Sequence, residues 1–268
     1  MPNKQQIIEF YSEGFQEENR LLSGLGVLEK LRMEELLRRF LPTAPAVVYD
    51  VGGATGVHSF WLAERGYEAH LLDIVPRHIE LAQERTKSGG AVPKSMIIGD
   101  ACKLPYADAS ADAVLLFGPL YHMTEQTDRL KALREAYRVL KSGGVLLAYG
   151  IMRYASLIYA IDKGFINRDD YFAMISRELE DGEHRKPESV RTITDSHFHL
   201  SDELRAELEN AGFVTGETVG IQGPCWMTPD FDKLIQDAGF AERALMVARQ
   251  VENEPALSPH FLSCARKR

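Results

Sequence analysis

Apolar positions change period along this chain, and the changes divide it. From about residue 5 to 40 they recur at helix spacing, first as Ile7, Ile8, Tyr11 and Phe15, then as Leu21, Leu22, Leu25, Leu28, Leu31 and Leu36. Leu41-Pro42-Thr43-Ala44-Pro45 stops that pattern. Ala46-Val47-Val48-Tyr49-Asp50-Val51 reads as a buried strand, and Gly52-Gly53-Ala54-Thr55-Gly56 turns the chain into a helix over 57–65. Further strands are predicted at 68–73, 95–99, 112–117 and 145–150. Helices are predicted from Pro76 to about Lys87 and over about 126–140, the second closed by Ser142-Gly143-Gly144. Strand and helix in turn from 46 to 150 mark a doubly wound parallel sheet, because each parallel strand needs a crossover to reach the next.

The rhythm breaks after residue 150. Residues about 151–195 read as two or three helical stretches without a clear strand, which is the mark of an insertion. Ser201 then opens a helix with Asp202 and Glu203 in its first turn, Gly212 stops it, and strands are predicted over 213–221 and 260–265. The expected architecture is an α/β fold with a doubly wound, seven-stranded, mostly parallel sheet. Residues 1–45 form an N-terminal helical cover, 46–150 the first part of the core, 151–200 a helical insertion, and 201–268 the rest of the core.

Composition narrows the class of function. Of 268 residues, 45% are hydrophobic and 26% charged, enough apolar material for a sizeable core. A net charge of −8 argues against a general nucleic-acid-binding surface. Cys102, Cys225 and Cys264 lack metal-pair or disulfide spacing and read as reduced thiols. No segment has the apolar length of a bilayer span, and the N-terminus lacks a signal-peptide pattern, so a cytoplasmic location is expected.

Candidate chemistry gathers at the carboxyl ends of consecutive predicted strands, where open α/β sheets bind ligands. The turn Gly52–Gly56 lets backbone approach a ligand and presents the N–H groups of a helix start, although a tight strand-to-helix turn needs the same residues. A nucleotide-hydrolase loop is excluded, since no Gly-Lys-Ser/Thr follows, and a dinucleotide fingerprint fits poorly with Ala54 and Val57 at its later glycine positions. Asp73 ends the second strand, where a carboxylate can accept both hydroxyls of a ribose or simply cap the next helix. Gly99-Asp100-Ala101 follows the third strand, where the carboxylate can take an adenine amino proton. Leu116-Phe117-Gly118-Pro119-Leu120-Tyr121-His122 follows the fourth. Their joint placement is more specific than any one of them.

These motifs resemble the class I S-adenosylmethionine-dependent methyltransferases, in the small-molecule group related to the ubiquinone/menaquinone methyltransferases. The resemblance covers 46–150 and rests on four stretches. They are Val48-Tyr49-Asp50-Val51-Gly52-Gly53-Ala54-Thr55-Gly56, Leu71-Leu72-Asp73-Ile74, Gly99-Asp100-Ala101, and Val139-Leu140-Lys141-Ser142-Gly143-Gly144. Ala54 stands in place of a frequent glycine and Ser142 in place of the proline of the family's L-x-P-G-G turn. Gly118–His122, with Phe198-His199, looks like a narrower subgroup.

The resemblance implies S-adenosyl-L-methionine as cofactor and a small-molecule acceptor, with a monomer or homodimer as the assembly. Gly52, Gly53, Ala54 and Gly56 would face its methionine part, with Phe117 and Gly118 on the same side, and Asp50 would help hold the amino group. Asp73 and Ile74 would meet the ribose, Asp100 and Ala101 the adenine. The N-terminal helix would close over the cofactor with Tyr11 and Arg20, the latter for the carboxylate. For an acceptor that must lose a proton, His122 and His199 are the candidate bases, with Tyr121 beside them. Asp195, His197 and His199 alternate as metal ligands might on a strand, but no further ligand set accompanies them. The insertion, rich in Tyr154, Ile158, Tyr159, Phe165, Tyr171, Phe172 and Met174, either lines the acceptor pocket or packs on itself. A cofactor-binding protein without catalysis and a nicotinamide-dependent oxidoreductase are the alternatives.

Overall fold

The computed structural model describes residues 4–13, 20–187 and 193–268; Phe15 of the first apolar run lies outside them. Two helices lead, α1 (Lys4–Glu13) and α2 (Gly24–Phe40). The alternating region follows as β1 (Val47–Val51), α3 (Val57–Ala63), β2 (Glu68–Asp73), α4 (Pro76–Arg85), β3 (Ser95–Ile98) and β4 (Ala111–Leu116). The short α5 (Pro119–His122), α6 (Gln126–Val139) and β5 (Leu140–Ile151) complete it. The inserted stretch holds α7 (Ala155–Asp162), α8 (Asp169–Asp181), β6 (Glu183–His184) and β7 (Ser196–His197). The chain ends with α9 (Ser201–Asn210), β8 (Val214–Gly220), α10 (Phe231–Leu234), α11 (Ala238–Gln250) and β9 (His260–Arg266).

The seven-stranded sheet runs β3-β2-β1-β4-β5-β9-β8, which is the expected doubly wound class. The first five strands pair parallel, and β9 lies antiparallel between β5 and β8. Its centre is covered on both sides. Leu36, Leu37 and Leu62 from α2 and α3 pack with Val48, Leu115 and Leu147 on one face. Leu133, Leu204 and Leu208 from α6 and α9 pack with Val114, Leu116 and Leu146 on the other. Each such fully buried side chain contributes on the order of 1.5–3 kcal/mol. The chain leaves β1 for β2 on one side and meets β4 on the other, so the strand order reverses at β1/β4 and opens a crevice beyond the carboxyl ends.

The pattern differs from the sequence reading in two places. Ser142-Gly143-Gly144 does not precede the fifth strand but lies inside it. The helix stops at Val139, Leu140 already pairs with Ala111, and the register shifts before Val145 meets Ala113. Gly143, at φ +77°, supplies the irregularity. The inserted stretch also holds strands, β6 pairing β7 through Glu183↔His197 and His184↔Ser196. Two residues on each side are too few for an alternating pattern to show. No helix among the described residues is long and apolar enough to cross a membrane.

Candidate functional site

The turn after β1 is built from close approaches. Gly52 has φ +74°, its N–H donates to Leu72 O at 2.7 Å, and a Cβ there would stand 2.5 Å from the Pro119 ring. Gly118 comes as near from the other side, where a Cβ would lie 2.9 Å from Gly52 O. The turns after β1 and β4 therefore touch through backbone and leave a cleft above them. Gly52, Gly53, Ala54 and Thr55 line that cleft with Phe117 and Gly118.

Asp50 and Gly56 do not line it. Gly56 caps α3 from beneath, against Leu71 and Phe60. Asp50 is fully buried behind the turn, where Ser59 Oγ donates to it at 2.6 Å. Its other oxygen has no hydrogen-bond partner among the described residues. Burial, with the nearby charge of Asp73, pushes the Asp50 carboxyl up to about 6 against the Ser59 hydrogen bond.

Asp73 and Asp100 both reach the cleft, and both are already engaged. One Asp73 oxygen accepts the Ala54 N–H at 2.8 Å; the other accepts the Val75 N–H at 2.8 Å and lies 3.1 Å from His78 Nδ1. This carboxylate thus ties the glycine turn to the start of α4. Asp100 accepts from Cys102 N–H at 2.9 Å and from the Lys4 ammonium at 2.5 Å. Burial alone would raise the Asp100 carboxyl; the Lys4 and Cys102 donors outweigh it and hold the group below its ordinary value. Ile74 and Ala101 line the cleft beside them.

Helix α1 lies across this half. Besides Lys4 at Asp100, Tyr11 Oη stands 3.0 Å from His122 Nε2, and its ring meets His78 edge-on at 5.2 Å. Thr194, from the inserted stretch, places its hydroxyl 3.3 Å from His122 Nδ1. His122 is buried, and that burial pushes it down to about 4 despite the opposing charge of Asp73. It is a neutral imidazole between two hydroxyls at neutral pH. Tyr121 lies against both His122 and Tyr149, with ring centroids 4.6 and 6.1 Å away.

His199 is elsewhere. It is fully buried, does not line the cleft, and lies with Nε2 3.3 Å from Glu207. Glu207 also takes Arg129, whose Nη1 donates to Met123 O and Thr124 O at 2.8 and 2.7 Å. The geometry corrects the reading of His199 as a base: it supports the buried pair that pins the wall after α5. Burial raises the Glu207 carboxyl, but His199 and Arg129 overcome this and hold it down at about 2. Among the described residues no group of three or more side chains is placed to hold a metal. The aromatic residues of the insertion also stay out of the cleft. Tyr171 and Met174 pack on Ala160, Ile175 and Phe165, whereas Tyr159 and Phe172 are exposed.

Several cleft residues escaped the sequence reading. Glu29 and Met33 come from α2, His58 from the first turn of α3 and Tyr149 from β5. Glu29 carried a signal: with Leu25, Leu28, Arg32, Met33 and Leu36 it falls on the apolar face of its helix, where a charge is costly unless paired. His58 and Tyr149 had none, because each sits in an otherwise ordinary helix start or strand.

Comparison with known proteins places these residues in context. Residues 49–148 match the model of a family described as a methyltransferase domain. The ubiquinone/menaquinone biosynthesis C-methyltransferase UbiE of Caulobacter sp. (strain K31) is 28% identical over 218 residues, covering 76% of this chain and 82% of that protein. Methyltransferase GfsG of Streptomyces halstedii is 35% identical over 115 residues, covering 42% of this chain and 40% of that protein. Among solved structures, a SAM-dependent methyltransferase from Methanosarcina mazei shares the fold with a TM-score of 0.60 at 21% identity, covering 87% of this chain and 96% of that one.

Proposed function

We propose that the chain is a class I S-adenosylmethionine-dependent methyltransferase, the reading that its family match and its relatives support, and that its residues divide the work of moving a methyl group to a small-molecule acceptor. One observation carries the assignment. The glycine turn, Asp73, Asp100 and Phe117 leave four successive strands and line a single cleft. A cleft with carboxylates after its second and third strands and bare backbone after its first fits an adenosine with a tail: Asp73 for the ribose hydroxyls, Asp100 and Ala101 for the adenine, Gly52–Ala54 and Phe117 for the methionine side. When bound, the cofactor supplies an electrophilic methyl on a sulfonium, so the protein needs to align the acceptor and exclude water. Lys4, Ile7 and Tyr11 place α1 as the cover over this half.

His122 serves better as an orienting group than as a base. A base works best with its pKa near the working pH, and burial has moved this imidazole down to about 4. Held between Tyr11 and Thr194 it can direct a hydroxyl or an acceptor oxygen. The name of the Caulobacter relative is that of a C-methyltransferase; a carbon acceptor on this chain would accord with so weak a base. The nicotinamide alternative has little support, since Ala54 and Val57 occupy the later glycine positions of a dinucleotide fingerprint.

Calorimetric titration with S-adenosylmethionine and with NAD tests the cofactor, and methyl-labelled cofactor with a metabolite pool tests the transfer. Binding of the first ligand alone, with label appearing in a small molecule, is the expected result. Tight NAD binding without any response to S-adenosylmethionine would overturn it.

A further inference from the structure

Past the glycine turn the cleft ends on Arg20, which donates to both oxygens of Glu29, at 2.7 and 3.0 Å. Leu21, Thr55, Val57 and His58 line the cleft as well, and the same four residues line a second hollow. This is a groove of about 610 Å³ between α2, α3 and α4, within the roughly 300–1,000 Å³ of small-molecule sites. Its surface is apolar over Leu21, Leu22, Val57, Leu81 and Trp61. Leu22 is 62% exposed, so an apolar body laid on it takes that surface out of water.

The charges around the groove do not balance. Glu64 lies 3.6 Å from Arg65, and Glu34 accepts from Arg38 at 3.4 Å, so both carboxylates on the wall are matched. Lys30, from α2, and Arg85, the last residue of α4, line the groove with no ion-pair partner among the described residues. Arg85 lies over the Phe60 ring, 4.1 Å from its centroid, which steadies the guanidinium without cancelling its charge. Burial pushes His58 down to about 4, so it is uncharged near neutral pH. The indole N–H of the buried Trp61 has no acceptor among the described residues. A cationic ligand would face two unopposed like charges, and a bare inorganic anion would leave the apolar surface wet. A doubly charged phosphate head would also meet Glu34 and Glu64. We propose that the groove is a second ligand site, for a small apolar molecule with a carboxylate head, its head held by Lys30 and Arg85 and its body laid on Leu22, Val57 and Leu81. It is separate from the cofactor and acceptor cleft, and Leu21, Thr55, Val57 and His58 form the partition.

Decanoate, decylamine and decanol share one chain, differ in the head, and so provide the test. Each is titrated calorimetrically, below its micelle concentration, into the wild-type chain with and without saturating S-adenosylhomocysteine. Decanoate should bind about tenfold or more tightly than decylamine, and keep its affinity within about twofold when S-adenosylhomocysteine is present. Added salt should weaken decanoate and leave decanol unchanged. The double variant Lys30→Gln, Arg85→Gln should cut decanoate affinity about fivefold or more and leave decanol within about twofold. Lys30→Arg with Arg85→Lys keeps both charges and should retain most of the affinity. Displacement of decanoate by S-adenosylhomocysteine would place it in the main cleft and overturn the second site. So would absence of decanoate binding, decylamine binding as tightly as decanoate, or unchanged decanoate affinity in the charge-removing variant. A chain that takes decanoate but no S-adenosylhomocysteine would sink the cofactor reading alone, and the two double variants would still decide the groove.

Discussion

The two halves of the cleft are made differently. The half around Asp73 and Asp100 comes from consecutive strand ends of one parallel sheet, with α1 laid over it. The far half joins Arg20, Glu29 from α2, His58 from α3, Tyr149 from β5, Gln222 just after β8 and His260 from β9. In the first half each acid sits at a strand end and accepts a backbone N–H two residues on, from Val75 for Asp73 and from Cys102 for Asp100. In the second, no two partners are neighbours in sequence, and side chains hold one another. Strand-end geometry suffices to place the two acids proposed for the ribose and the adenine. A site for charges of both signs needs the whole fold to close first.

The largest effect should come from the anchor of the first half. Glu207→Leu leaves the buried Arg129 guanidinium without its partner, and loss of one member of such a pair costs about 3–5 kcal/mol. Denaturant unfolding measures it. A loss under about 1 kcal/mol would mean that the wall at Met123 and Thr124 is fixed by other contacts.

Asp73→Ala should come next, and in two readouts. It removes the proposed ribose acceptor, weakening cofactor binding by roughly 1.5–3 kcal/mol, and it strips the part-buried Ala54 and the buried Val75 N–H groups of their acceptor, costing on the order of 1–3 kcal/mol of stability. Asp73→Asn retains one acceptor oxygen and should lie between. Cofactor affinity equal to wild type in a folded Asp73→Ala chain would cut this acid out of the binding half.

Acid should then expose what the halves share. His58, His122 and His260 have folded values lowered to about 4 from an ordinary 6.5. Their stabilising effect is full above 6.5 and is lost as pH falls toward 4, each pKa unit being worth about 1.4 kcal/mol before relaxation. Asp50, raised to about 6, acts in the opposite sense, its contribution being lost as pH rises through that value. Three imidazoles outweigh one carboxyl, so the melting temperature should drop between pH 7 and 5. Glu29 and Glu207, held at about 2, begin to matter only below about 4.5. His58→Gln should shrink the drop. A melting temperature that rises on acidification would show that Asp50 dominates.

The smallest effect concerns the turn. Ala54 sits at φ +49°, a left-handed conformation costing an alanine about 1–2 kcal/mol. Ala54→Gly relieves that cost but gives the unfolded chain more freedom, about 0.5–1 kcal/mol in the other direction. A net gain below about 1 kcal/mol is expected in thermal unfolding. A clear loss would mean that the Ala54 methyl packs usefully.

The same contrast explains what could be read from the chain alone. The strand over 68–73 and the helix opening at Ser201 coincide with the expected ones, because period and cap residues are local. Asp73, Asp100 and Phe117 stand at strand ends, a place the sequence marks, and all three line the cleft. His199 was misplaced because its partner, Glu207, lies on the next helix and its distance from the cleft depends on how the insertion folds back. Tyr171 and Met174 could have faced a pocket or each other, and only packing decides. Tyr149 joins the site because β5 converges on it, which no spacing along the chain records, whereas Glu29 is marked only as a charge on an apolar helix face.

Asp73 holds the Ala54 and Val75 amides as well as facing the cleft. Selection would therefore keep this residue twice over, once for the ligand and once for the loop. A descendant that had abandoned methyl transfer would still need the acid to keep its turn in shape. Asp100 holds a single backbone amide, that of Cys102 two residues on, besides the Lys4 ammonium, so its loop leans on it less. Among diverging copies of this gene, drift at Asp100 would be the earlier sign of lost activity, and an unaltered Asp73 no proof that activity survives.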